Sequence, residues 1–312
     1  MRAVVRTEWG GPVTIADLPT PQPGKGEVLV RVSAAGIDAG AKHIIDGEPR
    51  LLRLGMGRRA PRDARVGTEL AGVIEAVGAE VTDFAVGDSA FGVAHGSFAD
   101  AVVAKPGKLA TLPASFDPAD AAASAVSGIT ALDALGAAGP LDGRRVLVLG
   151  AGGGVGTFLV QLAVAAGASV TGVCSTAKTA AVTELGACHV VDYRQNEPTG
   201  EFDVLFAAGG IRPLTALRDL LVPKGVAVLI GGDGGSGLLG GFEKQLLAPL
   251  TMAFSGRRFV SITSSTTTAK LERLAQSGVR PVIDRRYPLD QAASALAHFA
   301  SGTVIGKLVL VP

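Results

Sequence analysis

Near the N-terminus, apolar and polar positions alternate with a period of two. Val28, Val30 and Val32 fall on one side of a run whose other side carries Leu29, Arg31 and Ser33, which predicts a strand with two different faces. Similar short runs occur at 70–77, 89–93 and 99–103. Between them lie the turn residues Pro21-Gln22-Pro23-Gly24, Gly78 and Val86-Gly87-Asp88. Many short strands with glycine-rich corners predict a barrel-like β-domain over residues 1–122. Beyond that point the pattern changes. Residues 144–149 form a continuous apolar run of the kind buried on both faces, and the next segment places Val155, Phe158, Leu159, Leu162, Ala163 and Ala166 on one helical stripe. Strand and helix signals then alternate through 169–174, 178–185, 189–191, 202–206, 214–221, 226–230 and 259–263. Such βαβ alternation predicts an α/β fold with a doubly wound parallel sheet over residues 123–268. The tail, 269–312, reads as a helix, an extended stretch at 281–284, a helix through Phe299 and a last strand at 307–311. A dinucleotide-type sheet needs no seventh unit, so the tail is expected to return to the first domain.

Composition narrows the function classes. A chain of 312 residues can build two cores, and 43 glycines with few aromatics suit many tight turns. The formal charge of +1 gives no global field toward nucleic acid, and the basic pairs Arg58-Arg59 and Arg285-Arg286 form no stripe. The chain runs straight into Ala3-Val4-Val5 without a signal-peptide pattern, and its most apolar helical stretch, near 155–166, is too short to span a bilayer. A cytoplasmic location without membrane attachment is expected. Cys174 and Cys188 are the only cysteines, so no disulfide framework or four-cysteine zinc lobe can form.

The chemistry begins at residues 150–156, Gly-Ala-Gly-Gly-Gly-Val-Gly, between the first buried strand and its helix. Small residues there let backbone approach a pyrophosphate, and N–H groups around Gly152, Gly153, Gly154 and Val155 face the anion. The second strand selects the dinucleotide. A carboxylate at its end would bind the ribose hydroxyls and repel a 2′-phosphate, but this strand ends in Cys174-Ser175-Thr176-Ala177-Lys178. Ser175 supplies a hydroxyl, Lys178 a positive charge, and Tyr193, after the third strand, a ring beside adenine. NADPH is therefore expected over NADH. The plain alternative for Lys178 is a solvated lysine at a helix start.

With these elements placed, the chain resembles the zinc-independent quinone oxidoreductase-like branch of the medium-chain dehydrogenase/reductase superfamily. The matching stretches are Pro-Gln-Pro-Gly-Lys-Gly-Glu-Val-Leu-Val at 21–30, Ala-Gly-Ile-Asp at 35–38, Gly-Thr-Glu-Leu-Ala-Gly-Val at 67–73 and Gly-Ile-Thr-Ala at 128–131. The glycine fingerprint, Val-Ile-Asp-Arg at 282–285 and Gly-Lys-Leu-Val at 306–309 complete them. The resemblance implies a GroES-like β-barrel domain beside a Rossmann domain, with the nicotinamide in the cleft between them. It implies Thr130 near the nicotinamide, Lys307 approaching the cofactor or the cleft from the tail, and the nicotinamide pocket lined by segments containing Ala207, Gly231 and Gly232. The alternatives are a helix-start hydroxyl for Thr130 and an exposed cation for Lys307. Zinc-dependent relatives carry a cysteine and a Gly-His-Glu triad where this chain has Ile37 and Gly67-Thr68-Glu69, so no catalytic zinc is expected.

Without zinc to polarise a ketone, an electron-poor quinone or α,β-unsaturated carbonyl is the expected acceptor, reduced by hydride from NADPH. His43, read as lying in a loop, is the candidate acid, and Asp38 the candidate for positioning the nicotinamide ribose. Arg50, Arg53, Arg58, Arg59, Arg62 and Arg65 form either a solvated basic loop or a contact for an acceptor carrying carboxylate or phosphate. Seven glycines within 231–241 read as a lid or a loose connection. An apolar edge strand at 259–263 predicts a homodimer. Two alternatives stay open: a carbonyl or enoyl-thioester reductase of a biosynthetic pathway, and a non-catalytic NADPH-binding redox sensor or scaffold.

Overall fold

A computed structural model of the chain describes residues 1–210, 212–231 and 256–312. Two compact units emerge, one from Met1–Ile129 with Ser265–Pro312, the other from Thr130–Ser264. The first unit begins with the antiparallel hairpin β1 (Arg2–Val5) and β2 (Thr14–Asp17). Its long strand β3 (Val28–Ile37) leads into α1 (Ala39–Asp46) and α2 (Leu52–Met56). Then come β4 (Glu69–Val77), β5 (Ser89–Val93), β6 (Ala101–Ala104), β7 (Leu109–Thr111) and α3 (Pro118–Ser124). The two-fold alternation of β3 is filled by the barrel interior: Val28, Val30 and Val32 join Leu70, Ile74, Val102 and Leu109 in one apolar core.

After α4 (Ser127–Ala138), the second unit runs β8 (Arg145–Leu149), α5 (Gly154–Ala165), β9 (Ser169–Cys174), α6 (Thr179–Glu184), β10 (His189–Asp192) and β11 (Phe202–Ala207). It continues with α7 (Leu214–Asp219), β12 (Leu221–Ile230) and β13 (Arg258–Ile262). The six parallel strands lie in the order β10-β9-β8-β11-β12-β13. Order reverses between β8 and β11, so the loops after these strands meet at a topological switch point. Among the described residues, no single helix is long and apolar enough to cross a membrane. Gly232 and the remainder of the glycine-rich stretch after Gly231 lie outside the described residues.

The tail supplies α8 (Thr268–Gln276), β14 (Ile283–Pro288), α9 (Ala292–Ala300) and β15 (Lys307–Val311). Strand β15 runs antiparallel to β3, pairing Leu308 with Ile37 and Leu310 with Ala35, and β14 extends the sheet beyond it. The join is sealed by charge. Lys307 is 1% exposed, and its ammonium donates to Oε2 of Glu69 at 2.6 Å and to Oγ of Ser127 at 3.2 Å. Glu69 is 0% exposed, and its Oε1 accepts from the Val126 backbone N–H at 2.7 Å. Only a glycine fits at position 36, because a Cβ there would collide with the Glu69 carboxylate. The alternative of an exposed cation is thus wrong for Lys307: it is buried, and its charge meets a carboxylate inside the first unit.

Burial pushes the Glu69 carboxyl from its ordinary 4.5 up to about 7; the Lys307 ammonium opposes the rise and the Asp38 carboxylate adds to it. Between those two values the folded chain binds more protons than the unfolded one, so this group's stability contribution is complete below 4.5 and lost as pH rises through 7. Glu69→Gln should remove that component from a pH series of denaturant unfolding. Glu69→Ala, which removes the buried ammonium's carboxyl partner altogether, should cost about 3–5 kcal/mol, and Glu69→Ala with Lys307→Met should recover most of the loss. Single and double variants that lose equal stability would show that the pair is not coupled.

Candidate functional site

The second unit builds its site at the switch point. After β8 the chain turns through Gly150, whose φ of +76° favours glycine, and the N–H groups of Gly150 and Ala151 both donate to the Val173 carbonyl. Gly153 caps α5 in an extended conformation, and the first regular helical bond runs from the Thr157 N–H to the Gly153 carbonyl. The N–H groups of Gly154, Val155 and Gly156 therefore precede the helical ladder at the positive end of the α5 dipole. Close packing makes this turn possible. A Cβ on Gly156 would collide with the Gly150 carbonyl oxygen, and one on Gly150 would come within 3.0 Å of Gly209.

The glycine turn before α5 borders a cavity of about 670 Å³ lined by Gly150, Gly152, Gly153, Ser175, Lys178 and Tyr193, among others. Ser175 is buried there, while Tyr193 is 50% exposed. The aliphatic stem of Lys178 crosses Gly152, so that a Cβ on Gly152 would lie 2.7 Å from the lysine Cδ. The space a side chain would take at Gly152 is thus filled by the lysine stem, and the cavity beside it is lined by a hydroxyl-bearing residue, a lysine and the glycine turn that leads into α5. Its donors fit a pyrophosphate and a further phosphate. Ala207 ends β11, but the cavity wall is made by the next residues, Ala208 to Gly210.

Three charged residues on or beside this wall were not legible beforehand. Asp192 ends β10 directly opposite Cys174, and its carboxylate accepts from the Thr176 hydroxyl at 2.6 Å and from the Gln195 amide at 2.9 Å. The Thr176 hydroxyl, first among these donors, holds Asp192 below the usual carboxylate range. The acid missing from the second strand is thus present at the end of the third, where it is already hydrogen-bonded. Glu197 and Arg212, also on the cavity wall, pair with each other. Burial pushes the Cys174 thiol up, and Asp192 adds to the rise.

In the first unit the expected residues divide. Asp38 is buried and caps α1, accepting from the Ala41 N–H at 2.5 Å. His43 lies on that helix rather than in a loop, because the Asp38 cap and the left-handed Gly47 fix a helix between them. A cavity of about 380 Å³ is lined by Ile44, Thr68, Val93, His95, Lys105 and Lys108, among others, and His43 is not in its wall. His95 is the histidine overlooked in the sequence. Burial holds it below the ordinary imidazole value even though Asp63 lies 3.4 Å from its Nε2. Thr130 lies within α4, half-buried, and Gly231 follows β12 with φ of +74°. Of the arginines, Arg53 and Arg65 are engaged with neighbouring backbone or acids, whereas Arg58, Arg59 and Arg62 are exposed.

Two family profiles match the chain, the alcohol dehydrogenase GroES-like domain over residues 24–114 and the zinc-binding dehydrogenase over residues 185–310. The chain is 31% identical to a quinone oxidoreductase of Lama guanicoe, over 100% of this chain and 97% of that one. This protein belongs to the quinone oxidoreductase-like branch of the medium-chain dehydrogenase/reductase superfamily. It is an oxidoreductase of a superfamily that binds nicotinamide cofactors. The NADPH-dependent alkenal/one oxidoreductase of Arabidopsis thaliana is 27% identical, covering 100% of this chain and 80% of that one. A quinone oxidoreductase of Coxiella burnetii shares the fold of this dehydrogenase/reductase with a TM-score of 0.89 at 24% identity, over 100% and 99% of the two chains. A mycobacterial protein solved in complex with NADPH superposes with a TM-score of 0.82 at 28% identity, over the whole of both chains. Among the described residues of this superfamily member, no group of three or more His, Cys, Asp or Glu side chains could hold a metal.

The glycine turn yields a stability test. Gly156→Ala should cost at least about 1–3 kcal/mol, because the added methyl meets backbone that can move only with the helix. Gly153→Ala, whose nearest heavy atom would be the Gly150 oxygen at 3.3 Å, should cost much less. Thermal unfolding of the two variants compares them, and equal losses would refute the packing account.

Proposed function

We propose that the chain is an NADPH-dependent reductase of quinones or other α,β-unsaturated carbonyl acceptors. The observation that carries the cofactor half is the second-strand terminus: buried Ser175 and Lys178, whose aliphatic stem lies against Gly152, line one cavity, and residues 174–178 contain no carboxylate. Lys178 and Ser175 would hold the 2′-phosphate, Tyr193 would lie beside adenine, and the N–H groups of residues 154–156 would receive the pyrophosphate. The bound dinucleotide supplies the hydride. The chain's part is to bind and orient it and to keep water from the reacting groups. Asp192, at the end of the next strand, is already bonded to Thr176 and Gln195, and it stays negatively charged.

The acceptor half rests on the side chains available. Asp38 caps a helix, Glu69 is sealed in an ion pair and partial burial pushes His95 below the ordinary imidazole value, so none of the three stands out as the acid. An electron-poor quinone or enone takes hydride without one, because the resulting anion is delocalised and solvent can protonate it. The relatives named for quinones and for alkenals support this class. A second reading, reduction of an enoyl thioester in a biosynthetic pathway, is favoured by 34% identity to erythronolide synthase EryA2 of Saccharopolyspora erythraea. That match covers 91% of this chain and 8% of the synthase. We also propose a homodimer paired through β13, the last strand of the parallel sheet among the described residues.

Purified protein mixed with NADPH and a panel of an ortho-quinone, simple enones, ketones and enoyl thioesters should consume NADPH fastest with the first two. No consumption with any member, despite NADPH binding, would end the enzyme reading, and a preference for ketones would reject the acceptor class. Lys178→Ala should weaken NADPH on the order of 10-fold or more while leaving NADH nearly unchanged. Equal losses for both would reject the phosphate assignment. Sedimentation should report a dimer, and a monomeric mass at micromolar concentration would remove the pairing through β13.

A further inference from the structure

Arg6 follows β1 and is held by its backbone, its N–H donating to the Ala64 carbonyl at 2.8 Å. Its side chain is 1% exposed, yet Nε and both terminal nitrogens have no hydrogen-bond partner among the described residues. A guanidinium cannot relieve this by losing its proton at any ordinary pH, and an uncompensated buried charge is costly. The neighbouring charges do not resolve it. Asp63 is the nearest acid by its influence, but its Oδ1 accepts from Arg65 N and Nε, and its Oδ2 accepts from the other end of the Arg65 fork at 2.7 Å with His95 at 3.4 Å. Arg53 is engaged with Glu48 at 3.6 Å and with the Gly47 and Asp46 carbonyls. Arg50 shares the Glu48 carboxylate at 3.8 Å, so the arginines here outnumber the acids, and Arg6 is the buried one without a hydrogen-bond partner among the described residues.

The wall around it is built. Trp9, the chain's only tryptophan, places its ring centroid 4.9 Å from the Arg6 guanidinium carbon, and the Arg53 guanidinium lies 5.6 Å from the same ring. The indole N–H donates to the Gly57 carbonyl at 3.0 Å, which fixes the ring as a half-buried cover. Ser97, in the segment that reaches β1 through the Val4–Phe98 backbone bond, carries a second buried hydroxyl without a partner.

We propose that Arg6, under the Trp9 ring, is the receptor for one small oxyanion, a carboxylate or phosphate group. Its planar fork matches two oxygens at once, which a point charge does not, and low polarity around it strengthens each bond. The anion is either free in solution or part of a larger ligand such as the acceptor; only this last version rests on the function proposed above.

Trp9 is the reporter. Acetate, and separately inorganic phosphate, titrated into the full-length protein at constant ionic strength should change its emission saturably and raise Tm in parallel. Arg6→Met should lose both responses and, in anion-free buffer, be at least as stable as the parent, since it removes an unpaired buried charge. Arg6→Lys, which keeps the charge without the fork, should bind acetate at least tenfold more weakly. Absence of a saturable response in the parent, an unchanged response in Arg6→Met, or a less stable Arg6→Met would each overturn the site. Paired enones with and without a carboxylate then separate the sources. A selective drop in kcat/KM for the carboxylated one in Arg6→Met assigns the site to the acceptor, and equal rates assign it to a free anion. If neither enone turns over, the proposed function fails while the titration still decides the anion site.

Discussion

An ammonium group sealed from water imposes the strictest condition on this chain. Lys307 sits at the first position of β15, 238 residues from the carboxylate that neutralises it, and nothing nearer in sequence could do so. The tail must return to β3 and β4 before that charge is tolerable, and it must return in one register. A slip of one residue would turn the lysine to the other face and the apolar residues after it toward water. Glu69 meets the condition only because Gly36 offers no side chain, and because the Val126 N–H and the Ser127 hydroxyl complete the polar shell. One buried pair thus ties β4, β15 and the segment after α3 into a single arrangement.

The second unit obeys a different constraint, the approach of backbone to backbone. Gly156 admits the Gly150 carbonyl, Gly150 admits the loop after β11, and the helix N–H groups are left facing outward as a consequence. Here the chemistry is local, which is why it could be read directly. Six apolar runs in alternation with helices, and a glycine cluster after the first, suffice to give the strand order and the place of the site.

What could not be read depends on distance in sequence. Lys307 opens an apolar strand and looks like a surface residue until its partner is known. Asp192 lies 16 residues beyond Thr176, on another strand, and joins the cavity only through the register that pairs it with Cys174. His95 follows a strand that looks unremarkable until Asp63 and Arg65 are packed beside it. The misplacement of His43 was avoidable. An aspartate cap at 38 and a glycine at 47 bracket a helix, and that signal was present in the residues themselves.

Charge in the first unit also limits what kind of reaction it can serve. A carboxyl raised to about 7 would be an attractive acid in an open cleft, but Glu69 has no exposed surface and its proton could reach only Lys307 or the backbone. His95 is the reverse case: it borders a cavity, and partial burial pushes it below the ordinary imidazole value, which favours a polar contact there over a charged one. Protonation by solvent is then the simplest course for a reduced acceptor, and it suits only acceptors whose anions are stabilised by their own delocalisation. The lack of a well-placed acid among the described residues and the proposal of a quinone or enone as acceptor are thus one argument seen from two sides. The buried charge on Arg6, without a hydrogen-bond partner among the described residues, is positive and permanent, and suits it to recognise an anion rather than to exchange protons.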